Sequence, residues 1–200
     1  MPSETDFLNG ALGRCGYTTI TGIDDGSTNA NWCKVFYGPL RRAILRAHHW
    51  NFAEARMELP QTPGAPDFEF AYWYTLPNNI LKIKEYNGDQ VKPNALDPLY
   101  WVTVAGRYKV EGNRLLTNDG IVKIVYVSDI DNPTLWDPLF YQAAEAWLAS
   151  KLAMAIGKDS SKSQSLLNEA VSILMPLAMA VDGQEGTILP YFTDDLIYGR

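Results

Sequence analysis

The residues best suited to chemistry stand together in LRAHHWNFA, residues 45–53. His48 and His49 are the only histidines in the chain, and imidazole is the side chain most used for proton transfer and metal binding near neutral pH. Neighbouring side chains point ~100° apart on a helix and to opposite faces of a strand, so the two rings cannot easily share an ion. Zinc sites instead space their histidines by a helical turn. The spacing therefore favours a structural corner between a helix and a strand.

The rest of the segment fits the corner hypothesis. Arg46 and the histidines stand in the last turn of a predicted helix, where positive side chains meet the negative end of the helix dipole. Trp50 and Phe52 are then expected to anchor the chain in the core, with Asn51 bonding the free backbone at the helix end. A corner explains these residue types without any catalytic role.

Motifs for nucleophilic or phosphate chemistry are missing from the sequence. It contains no GxSxG, no Walker loop, no GxGxxG after a strand and no CxxC. The carboxylate pairs Glu54 with Glu58 and Asp67 with Glu69 could serve a glycosidase. Surface acids are more often only solvated, so we expect no catalytic residues and no cofactor.

Two acidic segments, Asp24–Gly26 and Asp129–Asn132, carry the oxygen ligands that calcium prefers. Neither has the length or the terminal glutamate of an EF-hand loop, so we expect turn and helix-cap roles instead. Cys15 and Cys33 could form a disulfide, but nothing in their spacing signals one. The sequence thus predicts no metal site.

Composition restricts the class of protein. The chain has 200 residues and is 46% hydrophobic, which suits one globular unit with a sizeable core. Aromatic residues reach 12%, which fits either a large aromatic core or surfaces covered by partners. The net charge of −6 and the pI of about 4.9 argue against a protein that grips nucleic acid.

The only concentrated positive charge lies on the second predicted helix, at Lys34, Arg41, Arg42 and Arg46. These side chains could face DNA or pair with acids of a neighbouring subunit. We favour the subunit, because the guanidinium fork suits a carboxylate.

The N-terminal ten residues lack a basic stretch followed by an apolar run, so no signal peptide is expected. No apolar run approaches the ~20 residues of a membrane span. These features predict a soluble protein that folds in a cytoplasm.

Helical patterns occupy both ends of the chain. Ser3 and Ser27 are predicted N-caps, Gly16 a helix end, and Asp137 followed by Pro138 a typical helix start. The prolines inside helices 2 and 4 are expected to bend or split them. The four predicted helices span 3–16, 27–47, 137–157 and 161–181. The buried stripe of helix 2 is predicted at Ala30, Val35, Leu40, Ala43, Ile44 and Ala47.

Strand patterns fill the middle of the chain. ILKIKEY, residues 80–86, alternates apolar residues with lysines, as a half-buried strand does. Residues 108–127 are typical of a three-strand meander with turns at 112–113 and 118–120. FEFAYWYTLP is expected to place four aromatic residues on one side, namely Phe68, Phe70, Tyr72 and Tyr74.

The simplest fold for this order is α+β. Residues 1–50 and 134–185 are predicted to form a four-helix bundle, with an antiparallel β insert (a sheet or small sandwich) at 51–133, between helices 2 and 3. Residues 186–200 are predicted to form an extended C-terminal tail, which is too apolar to be solvated and is expected to bind a partner. Its apolar residues are Tyr191, Phe192, Leu196, Ile197 and Tyr198.

Several segments, taken in order, resemble the tail tubular protein A family of short-tailed bacteriophages, the head-to-tail adaptors beneath the portal. The strongest is YGPLRRAILRAHHWNFA at 37–53, an Arg-rich helix followed by a His-Trp-x-Phe-Ala corner. The others are LPNNIL at 76–81, YKVEGNRLLT at 108–117 and VYVSDIDNPTLWDPLFYQAAEAWLASKLA at 125–153. His49 stands where the family often has proline, which should leave this corner less rigid.

The resemblance implies a structural virion protein of the tail neck, assembled in the host cytoplasm, and not an enzyme. Family members form a dodecameric ring that docks on the portal, receives the tail nozzle (a tail tubular protein B-like protein), carries fibres in some relatives and passes DNA through its lumen. Arg41, Arg42 and Arg46 would then line a subunit interface or the lumen. The apolar tail residues at 191–198 would bind the portal. An acidic chain suits a channel that must not hold DNA during ejection.

Two other functions stay open at this stage. A tail-associated cell-wall hydrolase would use Glu54, Glu58 or Glu69. A weak, non-specific DNA-binding module would use Arg41 and Arg42.

Overall fold

A computed structural model describes residues 2–90 and 107–185. The protein is mixed α+β, as predicted at that level. The predicted tail residues Tyr191, Phe192, Leu196, Ile197 and Tyr198 lie outside the described residues.

The first helix, α1 (Glu4–Cys15), begins and ends as its sequence predicts. The Ser3 hydroxyl accepts a hydrogen bond from the Asp6 amide, and the Asp6 carboxylate accepts one from the Ser3 amide, so the two residues form a capping box. Gly16 follows with φ of 77°, a left-handed conformation that favours glycine. The local signals of this helix are confirmed.

The second helix, α2 (Thr28–Ala47), is capped by Ser27 and continues through Pro39 without a break. Its buried stripe was predicted wrongly in part, since Val35, Ala43 and Ala47 are exposed. The buried residues of this helix are instead spaced mostly by three or four positions along the chain, and Val35 lies outside the stripe that they form. The buried residues are Ala30, Cys33, Tyr37, Ile44 and Leu45.

A turn of 310 helix at Asn51–Ala53 leads into the first of two antiparallel sheets. The first sheet has the order β1-β7-β3-β4 and the second has the order β2-β6-β5. The strands are β1 (Glu54–Leu59), β2 (Tyr72–Thr75), β3 (Ile80–Tyr86), β4 (Asp89–Gln90), β5 (Tyr108–Glu111), β6 (Arg114–Thr117) and β7 (Val122–Ser128).

The predicted three-strand meander is wrong at its third strand. β5 and β6 form a hairpin around Gly112, whose φ is 60°. β7 then leaves this sheet and pairs with β1 and β3 in the other. Val122 and the run Ile124–Val127 are buried, because β7 is central in its sheet and is covered on both faces. Residues 118–120 therefore connect two sheets and do not close a second hairpin.

The expected aromatic strand face at residues 68–74 is also only partly correct. β2 begins at Tyr72, and Tyr74 and Phe70 are buried. Phe68 lies in the preceding loop, where its side chain is 79% exposed.

A hydrogen-bond network joins the two sheets at Tyr86, which is fully buried in the first sheet. Its hydroxyl lies 2.7 Å from the Thr117 hydroxyl of the second sheet and donates to the Asp119 carboxylate at 2.7 Å. The Thr117 hydroxyl donates to the backbone carbonyl of Arg107. Burial raises the pKa of the Tyr86 hydroxyl, so it stays protonated as a donor.

We predict that Tyr86→Phe lowers the free energy of unfolding by about 1–2 kcal/mol, because the Asp119 carboxylate loses its donor and the buried Thr117 hydroxyl loses a partner. Urea unfolding measures this. Tyr72→Phe is the matched control, since the Tyr72 hydroxyl has no hydrogen-bond partner among the described residues. Equal stability of the two variants would show that the network does not hold the sheets together.

The third helix, α3 (Pro138–Gly157), starts as predicted, with the Asp137 carboxylate accepting from the amides of Leu139 and Phe140. Helices from both ends of the chain contact α3. Its many alanines let the neighbouring helices approach closely. The buried residues of α3 are Phe140, Ala143, Ala144, Ala146, Leu148, Ala149, Ser150, Leu152 and Ala153.

The last helical segment runs from Ser160 to Glu185 and is named here the C-terminal helix. It consists of α4 (Ser160–Asn168), a π-helical stretch (Glu169–Leu174) and α5 (Met175–Glu185). The π-helical stretch, whose turns are wider than those of an α-helix, lies just before Pro176. Since proline has no amide hydrogen and clashes with the carbonyl four residues earlier, a change of helical pitch relieves both problems. The proline that was expected to bend this helix thus follows a π stretch.

Two apolar clusters form the core. The larger lies among the helices and also receives Leu81 and Val127 from the first sheet, while the smaller lies between the sheets around Tyr74, Tyr86 and Ile124. Rings fill much of the larger cluster, where Trp136 meets Phe7 edge to face at 5.1 Å. The aromatic core left open by composition is thus present, alongside a few exposed rings.

Candidate interaction surfaces

The histidine segment is the corner that the sequence predicts. α2 ends at Ala47 and β1 begins at Glu54, with the two histidines between them. Trp50 is fully buried, donates from its indole nitrogen to the Ile44 carbonyl at 3.2 Å and packs edge to face on Phe140 at 4.9 Å. The segment positions the transition from helix to sheet.

Asp182 of the C-terminal helix completes this corner, and sequence reasoning missed it. Its buried carboxylate accepts from the Asn51 amide at 2.8 Å and lies 3.2 Å from Nε2 of His48. Its backbone carbonyl accepts from the Asn51 side chain at 2.6 Å. These bonds fasten the C-terminal helix to the exit of α2. The only sequence signal was an aspartate in an apolar helix, which does not reveal its partner.

His49 does not share a site with His48. Its Nε2 atom is buried without a hydrogen-bond partner in the described part of the chain. Burial and, to a smaller extent, the nearby charges of Lys82 and Lys84 lower the pKa of His49 to about 4. At neutral pH the ring is therefore uncharged and acts as a structural side chain.

This depressed pKa predicts acid sensitivity. An unfolded chain protonates His49 below about pH 6.5, whereas the folded chain does so only near pH 4. Between these values the unfolded state holds more protons, so stability falls as the pH drops from about 6.5 towards 4. The contribution is on the order of 2 kcal/mol, because the ring is only partly buried and solvent screens its charge.

Comparing His49→Phe with the original chain by urea unfolding at pH 7 and pH 4.5 isolates this contribution. The variant should lose less stability between the two pH values, by on the order of 1–2 kcal/mol. Equal losses in both proteins would show that His49 does not cause the acid sensitivity.

Metal binding finds no geometric support within residues 2–90 and 107–185, where no three His, Cys, Asp or Glu side chains group around a shared position. Cys15 and Cys33 are both free and buried. Burial raises the pKa of both thiols, that of Cys33 to about 11, which disfavours the thiolate that a metal needs.

The acidic segments form turns and cap helices, as predicted. The Asp25 carboxylate accepts from the amides of Ser27 and Thr21, and Asp24 pairs with Lys34 at 2.6 Å. The Asn132 side chain accepts from the Thr134 amide.

The predicted arginine surface on α2 is partly used inside the subunit. Arg41 and Asp129 form a largely buried ion pair at 3.0 Å, which joins α2 to the end of β7. Arg42 reaches the same carboxylate at 3.4 Å with its side chain half exposed, and Arg46 donates to the Leu81 carbonyl. Arg42 and Arg46 are thus exposed, whereas Arg41 is largely buried.

Two of the candidate hydrolase acids, Glu54 and Glu58, lie on β1. They stand four residues apart, which places their Cα atoms about 13 Å from each other along the strand. Burial acts to raise the pKa of Glu54, but hydrogen bonds from Lys84 and Arg56 outweigh it and lower the pKa. A general acid needs the opposite shift.

Two shallow clefts border the second sheet. One, of about 380 Å³, lies between Arg46 and the β5–β6 turn, beside Leu81 and Tyr108. The other, of about 420 Å³, lies beneath the exposed Phe68 and contains Glu69. The guanidinium of Arg114 stacks over the Trp73 ring there, at 4.1 Å.

Five of the ten exposed large apolar side chains in the described part of the chain lie on two helices, and the others are spread singly over loops, a strand and α3. On α2, Trp32 and Phe36 stack at 5.7 Å, and the neighbouring Val35 is 56% exposed. We name these three residues the α2 apolar face. On the C-terminal helix, Val171, Ile173 and Leu177 are 42%, 58% and 48% exposed. Apolar groups of this kind mark surfaces that partners cover.

The C-terminal helix is long and apolar enough, by length and composition alone, to cross a membrane, contrary to the expectation from the sequence. Its best window of 18 residues has a mean hydropathy of 1.3 and is 22% buried. In this window small neutral residues stand between the aliphatic ones, so the sequence shows no unbroken apolar run. Helices that pack in soluble cores meet the same criterion, and Leu166, Ala170 and Met175 face the core here.

Comparison with known proteins finds no family model that matches this chain and no significantly similar curated protein. The resemblance to the tail tubular protein A family therefore depends on the ordered sequence segments described above.

Proposed function

We propose that this chain is a structural subunit of a ring-shaped adaptor between the portal and the tail nozzle of a short-tailed bacteriophage. The subunits associate head to tail, and DNA passes through the ring without being held. In this proposal the helices of both chain ends act as one four-helix bundle, and the two sheets form an insert projecting from it. The proposal includes a virion location, with assembly in the host cytoplasm.

One observation carries the proposal: two different helices, α2 and the C-terminal helix, each expose more than one large apolar side chain. A closed ring needs two distinct, complementary faces on each subunit, because every subunit uses one face for each neighbour. A monomeric enzyme has no comparable need for two separate apolar faces. The ordered resemblance of four sequence segments supports the same conclusion.

Charge supports a channel that releases DNA. The chain carries a net charge of −6, and Asp129 neutralises Arg41 within the subunit. Non-specific grip on DNA grows with each phosphate that a protein neutralises, so these internal pairs weaken the grip.

Electron microscopy of the protein mixed with its portal protein tests the proposal. We expect rings attached to the portal. Free monomers in the absence of portal agree with the proposal, because the portal can template assembly. A chain that stays monomeric with portal present contradicts it.

Deleting residues 188–200 should weaken portal binding by about tenfold or more in Kd while leaving the fold intact. The physical reason is that the tail is expected from its sequence to supply apolar side chains to the portal. Circular dichroism and a portal pull-down measure the two effects. A truncated chain that unfolds would show that the tail belongs to the core.

A further inference from the structure

Phe68 is the most exposed large apolar side chain in the described part of the chain, at 79%. It stands between two exposed acids, Asp67 and Glu69, in the loop that precedes β2. We name these three residues the acidic loop. A single ring displayed between two carboxylates is a small surface with both apolar and negative character.

A tight turn holds the acidic loop in this position. The Phe70 amide donates to the Phe68 carbonyl at 2.9 Å, across Glu69, whose φ is 72°. This left-handed conformation costs a glutamate free energy, and strain of this kind is common where a residue meets a ligand or partner. The Ala71 amide donates to the Asn118 side chain at 2.8 Å, which ties the loop to the end of β6. The backbone therefore presents the Phe68 ring outward in a fixed position.

A cleft elsewhere on the second sheet has the complementary chemistry. It has a volume of about 380 Å³ and apolar walls that include Leu76, Leu81 and Val110. The only charged side chains among its described lining residues are Arg46 and Lys82, which are both positive. We name it the basic cleft. A cavity of about 150 Å³ holds benzene, so the basic cleft has room for a phenyl ring.

The acidic loop and the basic cleft lie on opposite faces of the second sheet. Successive side chains of a strand alternate between the two faces. Val110 of β5 lines the basic cleft, whereas the next residue, Glu111, lines the cleft on the side of Phe68. The sheet thus separates the acidic loop from the basic cleft of the same chain, and the occupant of the basic cleft must come from another molecule.

We propose that Phe68 inserts into the basic cleft of a second copy of this chain. Asp67 and Glu69 then face Arg46 and Lys82 of that copy. Each copy has one loop and one cleft on opposite faces, so the contact repeats head to tail, as a ring of identical subunits requires. The contact deepens the proposed function, and its place in a ring rests on that function.

Charge favours this occupant over a nucleic acid or a lipid surface. The chain carries a net charge of −6, which opposes its approach to a polyanion or to an anionic membrane. The acidic loop joins an apolar ring to adjacent carboxylates, so it matches the apolar walls and the two cations of the basic cleft at the same time.

Photo-cross-linking between two forms of the full-length chain tests the contact. One form carries Asn78→p-benzoyl-phenylalanine, at an exposed position that lines the basic cleft, and the other form is isotope-labelled. The two are irradiated together, with the portal protein and, at high concentration, without it. We expect mixed cross-links that join position 78 to labelled peptides containing Phe68.

Phe68→Ala in the labelled form should lower the yield of mixed cross-links by about tenfold or more, because the inserted ring is lost. Ile121→Ala is the matched control: it shortens another exposed apolar side chain in a connecting segment and should leave the yield unchanged. Circular dichroism checks that each variant is folded.

An exchange of charges distinguishes direct contact from an indirect effect. Asp67→Lys with Glu69→Lys in the labelled form should also lower the yield by about tenfold or more, because like charges then meet at the basic cleft. Adding Lys82→Glu to the form that carries the photoreactive residue should recover part of the yield. A damaged fold cannot produce such a recovery, and its absence would contradict the charge pairing.

Mixed cross-links that avoid residues 66–70, cross-links confined to single chains, or a yield unaffected by Phe68→Ala would overturn the proposal. Cross-links to portal peptides would assign the basic cleft to the portal and would also overturn it. Rings on the portal without cross-links between loop and cleft would leave the adaptor function standing while this contact fails. Cross-links to the acidic loop in a chain that forms no rings would support the contact and contradict the adaptor function.

Discussion

Replacing Trp50 with alanine is expected to lower the free energy of unfolding by about 3–5 kcal/mol. The indole is fully buried where α2 turns into the first sheet, and its contacts reach three elements. It packs against the rings of Phe140 at 4.9 Å and His48 at 4.7 Å, and its nitrogen donates to the Ile44 carbonyl. Alanine would leave a large cavity and an unpaired carbonyl together.

Urea unfolding at pH 7 measures the loss, which should appear as a shift in midpoint at an unchanged slope. Trp32→Ala is the matched control, because that indole is 36% exposed and stacks only on Phe36. We expect a loss below about 1 kcal/mol for the control. A loss that small for Trp50→Ala would mean that the corner does not anchor the core.

Local sequence signals predicted the helices well, because each signal acts within a few residues. The Ser3–Asp6 capping box and the Asp137–Pro138 start are complete within one turn of the chain. The LRAHHWNFA corner belongs to the same class, since Trp50 bonds a carbonyl only six residues away.

Strand pairing was harder to predict, because turn chemistry and strand burial point to different partners for β7. The residues at 118–120 favour a hairpin, but β7 is apolar almost throughout and takes a central place between β1 and β3. An unbroken apolar run, in contrast to the alternation in β3, was the available signal for a strand covered on both faces.

Helix faces show a similar limit. The stripe predicted for α2 included Val35 for its apolar side chain, while Tyr37 and Arg41 lie nearer the core. Arg41 can lie there because Asp129, 88 residues away, pairs with it. Pairs over such distances cannot be read from one sequence, and they decide which side of a helix is available to partners.

The Asp182 contact is another of these distant pairs, and it leads to the second large prediction. Asp182→Ala should lower the free energy of unfolding by about 2–4 kcal/mol. The change removes a buried carboxylate acceptor and leaves the Asn51 amide without its partner, and it frees His48. Unsatisfied buried groups cost more than a lost surface contact, because water cannot replace the missing bond.

Glu185→Ala is the matched control on the same helix, since Glu185 is exposed near the end of α5 and should change stability by less than about 0.5 kcal/mol. Hydrogen exchange adds a local measurement: with Asp182→Ala, amides of α5 should lose protection before those of α3, because the lost bonds fasten only the C-terminal helix to the corner. Uniform loss of protection across both helices would show that Asp182 stabilises the whole core. Loss confined to α5 would identify Asp182 as the residue that fastens the end of the C-terminal helix to the corner.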